Sequence, residues 1–191
     1  MTRVLIIACG ALAREIRALT ADCAHIDLHC LPATLHNTPE RIAPAVRAAI
    51  QAARADYPHI FVAYADCGTS GALDHVLHEA GVQRLPGPHC YAFYSGTAAF
   101  LAAGDRDMRS FFLTDFLARQ FQALVIEPLG LDRHPELRDL YFGQYETLVY
   151  LAQTEDAALD QAATRAAQTL GLRYERRQVG YGDLRAALAT L

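Results

Sequence analysis

Short apolar runs alternate with amphipathic helical stripes through residues 1–85, and that alternation leaves few folds open. Residues 3–8 (RVLIIA) form a buried-strand pattern ending at Cys9-Gly10. ALAREIRAL then puts Leu12, Ile16 and Leu19 on one helical face. Residues 26–31 (IDLHCL) predict a second strand, and LPATLHN a loop ending at Thr38, an N-cap with Pro39 in the first helical position. Ile42, Val46 and Ile50 follow at a spacing that packs one helix face onto a sheet. Residues 59–64 (HIFVAY) and 82–85 (VQRL) give a third and a short fourth strand. Between them lies a helix carrying Leu73, Val76, Leu77 and Ala80, capped by Thr69 or Ser70 and stopped by Gly81. This rhythm calls for a parallel sheet with helices on both faces.

Further on, YAFYSGTAAFLAAG and DMRSFFLTDFLARQFQALVI carry apolar residues at helical spacing, so residues 90–145 read as a helical insertion. TLVYLA (147–152) has the β-branched and aromatic content of a strand. Thr154 is positioned to cap a helix with Leu159, Ala163, Ala166 and Leu170, closed by Gly171. LRYERRQV predicts an edge strand and GDLRAALATL a last helix. The expected architecture is a single α/β domain over residues 1–191: a doubly wound, Rossmann-like, mainly parallel sheet with that helical insertion.

Hydrophobic content of 52%, charged content of 20% and a net charge of −4 describe an ordinary globular chain without a basic block, which argues against nucleic-acid or anionic-membrane partners. The apolar runs are shorter than a bilayer requires, and the first one leads into a strand rather than a cleavage site. Five cysteines, an odd number, with no export signal point to a reducing cytoplasm, where thiols are free, catalytic or metal-bound.

Three of those thiols fall just past predicted strands: Cys9 in IIACG, Cys67 in AYADCGTSG and Cys90 in LPGPHCYAFYSG. In one parallel sheet they would converge on the carboxyl edge, where open α/β folds bind ligands. The first and third strands are expected to be neighbours, putting the Cys9 and Cys67 sulfurs roughly 5–10 Å apart for a strand spacing of about 4.8 Å. Burial in the core is the plain alternative for any one cysteine. Cys23 and Cys30 are read that way. His36 and His89 are the candidate further ligands, while Asp66 and Tyr91 are the candidate proton carriers or orienting groups. Gly10 and Gly68 open loops that approach a cofactor, with Arg84 near enough to meet a carboxylate or phosphate. Neither loop matches G-x-G-x-x-G, no C-x-x-C pair exists, and every basic residue apart from histidine is arginine, which removes the Walker lysine.

The segments CGAL, LHNTPERI, YADCGTSGALD, RLPGPHCYAFYSG and YETLVYLAQ resemble an uncharacterised family of bacterial and archaeal proteins, catalogued as a domain of unknown function. Its members are often encoded near corrinoid-dependent methyltransferases and their reductive activators. The resemblance implies cysteines at positions 9, 67 and 90 with His36, His89 and Tyr91. It also implies a setting near one-carbon or corrinoid chemistry, with a corrinoid protein or methyltransferase as partner.

Three functions stay open at this level. The first is a cytoplasmic protein or enzyme holding zinc or an iron–sulfur cluster on Cys9, Cys67 and Cys90, joined by His89 or His36. The second is a metal-free, racemase-like enzyme in which Cys9 and Cys67 act as acid and base. The third is a non-catalytic accessory protein that binds a corrinoid partner.

Overall fold

The computed structural model describes residues 2–191, with the side chains of 105 and 106 set aside. In chain order the elements are β1 (Val4–Cys9), α1 (Ala13–Leu19), β2 (Ile26–Leu31), α2 (Ile42–Ala53), β3 (His59–Ala63), α3 (Ala72–Ala80), β4 (Gln83–Arg84), α4 (Cys90–Ser95) and α5 (Thr97–Ala103). They continue with β5 (Ser110–Thr114), α6 (Asp115–Arg119), α7 (Arg138–Phe142), β6 (Thr147–Ala152), α8 (Ala157–Leu170), β7 (Arg173–Gln178) and α9 (Gly182–Leu188). The chain is an α/β protein with two all-parallel sheets, ordered β2-β1-β3-β4 and β5-β6-β7. Among the described residues no helix is long and apolar enough to cross a membrane.

Packing separates the chain into two compact units, residues 1–97 with 181–191, and residues 98–180, where the sequence predicts one domain with one sheet. In the first unit the strand order turns around β1: β2 lies on one side and β3 on the other. That reversal is the switch point of a doubly wound sheet, the place where such folds bind ligands. All six residues of β1 are buried, as a strand covered on both faces requires. Helix α2 buries Ile42, Ala43, Val46 and Ile50, the stripe its spacing predicts. Each large member of that stripe contributes about 1.5–3 kcal/mol, an upper estimate because denatured chains are partly collapsed.

The chain returns to this unit through α9. The Thr97 amide donates to the Asp183 carboxylate at 2.8 Å. A Cβ on Gly182 would overlap the Phe93 and Tyr94 carbonyls, so only glycine allows α9 to pack this closely on α4.

The second unit corrects the predicted helical insertion. SFFLT forms β5, paired along its length with β6 from Ser110↔Thr147 to Thr114↔Leu151. A short continuous apolar run fits a helix face and a buried strand equally, and pairing with β6 decided between them. TLVYLA and RYERRQ form β6 and β7, the latter at the sheet edge, as their patterns predict. Helix α8 packs Leu159, Ala163, Ala166, Ala167 and Leu170 into a core with Leu113, Leu148 and Tyr150.

Its cap differs from expectation. Asp156 accepts from the Ala158 and Leu159 amides at 2.9 and 3.3 Å, while Thr154 binds the Asp115 carboxylate instead. Asp115 is fully buried and also accepts from Tyr150 Oη at 2.7 Å and the Gln153 amide at 3.0 Å.

The predicted cap of α3 shifts as well, while Thr38 keeps its N-cap place before Pro39 without a side-chain cap bond. A 3-10 turn, Pro39–Arg41, precedes α2 after Thr38, and Gly71 occupies the N-cap of α3. Thr69 turns its hydroxyl to Asp66 at 2.7 Å.

A candidate thiol site at the carboxyl rim

Cys9 is the last residue of β1 and is 3% exposed. Its extended backbone starts a 3-10 turn over Gly10–Leu12, and the turn aims the Ala11 amide at the Cys9 sulfur, 3.3 Å away. Gly10 serves this turn: a Cβ there would stand 3.0 Å from the Leu31 carbonyl oxygen. The loop after β2 curls into a 3-10 turn, Ala33–Asn37, and hangs His36 over the same sulfur with Nδ1 3.6 Å from Cys9 Sγ. Nδ1 is also 3.2 Å from the Ala33 carbonyl oxygen. A carbonyl only accepts, so Nδ1 carries the hydrogen and presents it to both oxygen and sulfur. His36 lies at the surface, yet partial desolvation lowers its pKa, against the opposing pull of the Ala33 carbonyl, and favours the neutral ring.

Tyr64, just past β3, completes this group. The ladder between β1 and β3 closes on Ala8↔Ala63, so the next residue on each strand is Cys9 and Tyr64. Tyr64 is 1% exposed, and its ring stacks on His36 with centroids 6.4 Å apart and planes at 15°. Its hydroxyl is buried and makes no hydrogen bond of normal geometry. It does lie close enough for the Cys9 sulfur to act on it: burial first, then the charge and bonding of Cys9, raise the phenol's pKa.

Cys67 belongs to a different part of the rim. Cys67 does not fall directly past a strand as predicted: β3 ends at Ala63, and Cys67 lies in the loop beyond Tyr64. The loop is held by the Asp66 amide on Gly87 O at 3.1 Å and the Cys67 amide on Pro88 O at 2.8 Å. Cys67 has φ +50, a left-handed conformation that costs a non-glycine residue about 1–2 kcal/mol. These bonds bring Cys67 to the start of α4, where the Cys90 amide supports the Cys67 sulfur. Gly68, also at positive φ, rests 3.5 Å from the Pro39 ring by the position its Cβ would take.

The three thiols sense one another. Burial is the main force raising all three pKa values, Cys9 to about 12 and Cys67 to about 11. The charge of Cys67 adds to the rise at Cys9, and Cys67 and Cys9 add to that at Cys90. Cys30 is exposed on β2 and still contributes to the field at Cys9. The Ala11 amide and the Tyr64 hydroxyl pull the Cys9 value down, but no positive charge is among the strongest influences on it. The thiol therefore rests protonated, with hydrogen-bond donors arrayed for its anion.

The remaining candidates are placed as follows. Asp66 accepts from the Thr69 hydroxyl at 2.7 Å and from the Ser70 and Gly71 amides at 3.3 and 3.0 Å. Burial pushes its carboxyl up, these bonds outweigh burial, and the net shift is downward. Arg84 grips Asp74 through Nε at 2.6 Å and Nη2 at 2.9 Å, and Nη1 donates to the Leu85 carbonyl at 2.6 Å. Those bonds commit the guanidinium to the fold. His89 and Tyr91 pack edge to face at 5.1 Å around the start of α4, and burial lowers the His89 pKa.

Thiols and imidazoles are a suitable donor set for zinc or an iron–sulfur cluster. Among the described residues, however, no three His, Cys, Asp or Glu side chains are gathered closely enough to hold a metal ion. Among the described residues the donors fit by chemistry and not by placement.

The class defined by these features is an α/β protein with a thiol-rich carboxyl rim at a switch point. The chain belongs to the family described as protein of unknown function, DUF1638, whose profile matches residues 30–188; that span includes every rim candidate except Cys9 and Gly10. No curated protein and no solved structure matches the chain.

Proposed function

We propose that the rim is a thiol acid–base site in which Cys9 and Cys67 exchange protons with a small molecule bound at the end of β1 and β3. The observation that carries this reading is the surrounding of the Cys9 sulfur by the Ala11 amide, His36 Nδ1–H and the Tyr64 hydroxyl, with Cys67 near enough to raise its pKa. A desolvated thiolate is a strong base because its conjugate acid is weak. In the reaction one sulfur enters as thiolate and takes a proton from a substrate carbon. The C–H bond breaks, the S–H bond forms, and the electron pair moves into an adjoining carbonyl. The other thiol returns a proton to that carbon, so the two sulfurs exchange protonation states. Asp66 holds the Cys67 loop in place and touches no reacting atom in this scheme.

The test is solvent-deuterium incorporation at carbon, read by mass spectrometry after incubation with small carboxylic and amino acids. Exchange with inversion at that carbon, abolished in both Cys9→Ser and Cys67→Ser, supports the proposal; inversion that survives in either ends it, because one thiol alone exchanges a proton on one face only. Elemental analysis of anaerobically purified protein belongs to the same experiment. Stoichiometric zinc or iron, lost together in Cys9→Ser, Cys67→Ser and Cys90→Ser, would turn the sulfurs into ligands and replace the acid–base reading. The corrinoid and one-carbon setting implied by the resemblance joins the proposal as metabolic context. Co-purification with a corrinoid protein tests it, and such binding by protein inert in the deuterium assay would favour the accessory role.

A further inference from the structure

We propose that Tyr64 is a positioning residue for Cys9, its buried hydroxyl held on the neighbouring strand as a hydrogen-bond donor for the sulfur once the thiolate forms. The inference deepens the thiol reading by naming the group that sets how easily Cys9 is used. Tyr64 stands beside Cys9 because the β1–β3 register places it there, one step past Ala8↔Ala63. It is 1% exposed, and the stacked His36 ring limits its movement. A buried phenol without a well-formed partner is costly, and such groups persist where a second state repays them. The neutral thiol is a weak acceptor, whereas a thiolate draws a donor in strongly. The hydroxyl thus favours the charged form over the resting one, which is the differential interaction that lowers a barrier. The raised pKa of Tyr64 is consistent with this geometry, since the phenol keeps its proton across the working range.

The experiment measures the rate at which methyl methanethiosulfonate modifies Cys9 in the full-length protein. The thiolate displaces methanesulfinate and leaves an S-methyl disulfide, which is quantified on the Cys9 peptide by mass spectrometry. Cys30, exposed on β2, is the internal control. In Tyr64→Phe the thiolate population is expected to fall about tenfold. The less stabilised thiolate is the better nucleophile, so the observed rate falls about threefold, and its rise with pH shifts to higher pH. The Cys30 rate stays unchanged. Replacement of Tyr64 by 3-fluorotyrosine, a more acidic donor of nearly the same shape, is expected to raise the Cys9 rate. That substitution decides the matter alone if Tyr64→Phe does not fold. A Cys9 rate that is unchanged or faster in Tyr64→Phe, or not increased by fluorotyrosine, overturns the proposal. Loss of deuterium exchange bears on the acid–base reading only, so the two failures are separable.

Discussion

Cys9 and Tyr64 are neighbours across β1 and β3, one residue past the last paired position of the ladder. Register partners in a parallel sheet project on the same side, so a buried sulfur and a buried hydroxyl meet at the switch point without any loop to bring them. Cys67, which resembles Cys9 in its Cys-Gly context, reaches the rim by another route, through backbone bonds to Gly87 and Pro88.

The thiols make stability fall at alkaline pH. Cys9 and Cys67 ionise at about 12 and about 11 in the fold, against an ordinary value of 9.0. A raised folded value means full stability below pH 9, lost as the pH rises toward the folded values, because only the unfolded chain ionises in that window. Denaturant midpoints measured from pH 8 to 11 should drop steadily. Cys9→Ser should flatten that drop, and an unchanged slope would count against the burial of this thiol.

Asp66 is a loop tie with an acid limit. Its pKa is lowered in the fold, so its contribution is present above the ordinary carboxylate range and is lost as the pH falls through the lowered value. At neutral pH, Asp66→Ala should cost the loop about 1–3 kcal/mol by leaving the Gly71 amide and Thr69 hydroxyl without their acceptor. Amide hydrogen exchange at Gly71 should speed up, with β1 unaffected.

Gly182→Ala should destabilise the first unit by about 1–3 kcal/mol, through overlap with the Phe93 and Tyr94 carbonyls at a residue of φ +45. Thermal unfolding reads the loss. Because α9 packs on α4, which begins at Cys90, the variant should also make Cys90 easier to alkylate.

Asp115→Ala should cost about 3–5 kcal/mol, since it strands Tyr150, Gln153 and Thr154 in a buried site. Asp115→Asn retains some acceptor capacity and should lose less. Denaturant melts of the two variants give the ordering, and equal losses would mean that the carboxylate charge alone matters.

β1 and β3 are legible as short apolar runs, and β2 and β4 as short segments between helical stripes, glycine and proline. β6 is legible for the same reason as β1 and β3, and β7 from its charged, edge-strand pattern. β5 was hidden because SFFLT satisfies a helical and an extended period alike, and its partner strand lies far along the chain. Of the candidate site, Cys9 and His36 could be named from sequence, and the structure brings them to 3.6 Å. Tyr64 closes the predicted strand 59–64, but its importance lies in register, which spacing along one strand does not encode. Arg84 reads from its position as a ligand contact, whereas in the fold Asp74 and the Leu85 carbonyl hold its guanidinium.

Residue order alone determined the parallel α/β character, through the alternation of short apolar runs with helix faces spaced to cover them. Tertiary structure decided which chemistry-bearing groups meet, because contact across a sheet depends on register and loop closure between distant segments. The β1–β3 pairing put a phenol beside Cys9, and the bonds to Gly87 and Pro88 carried Cys67 to Cys90.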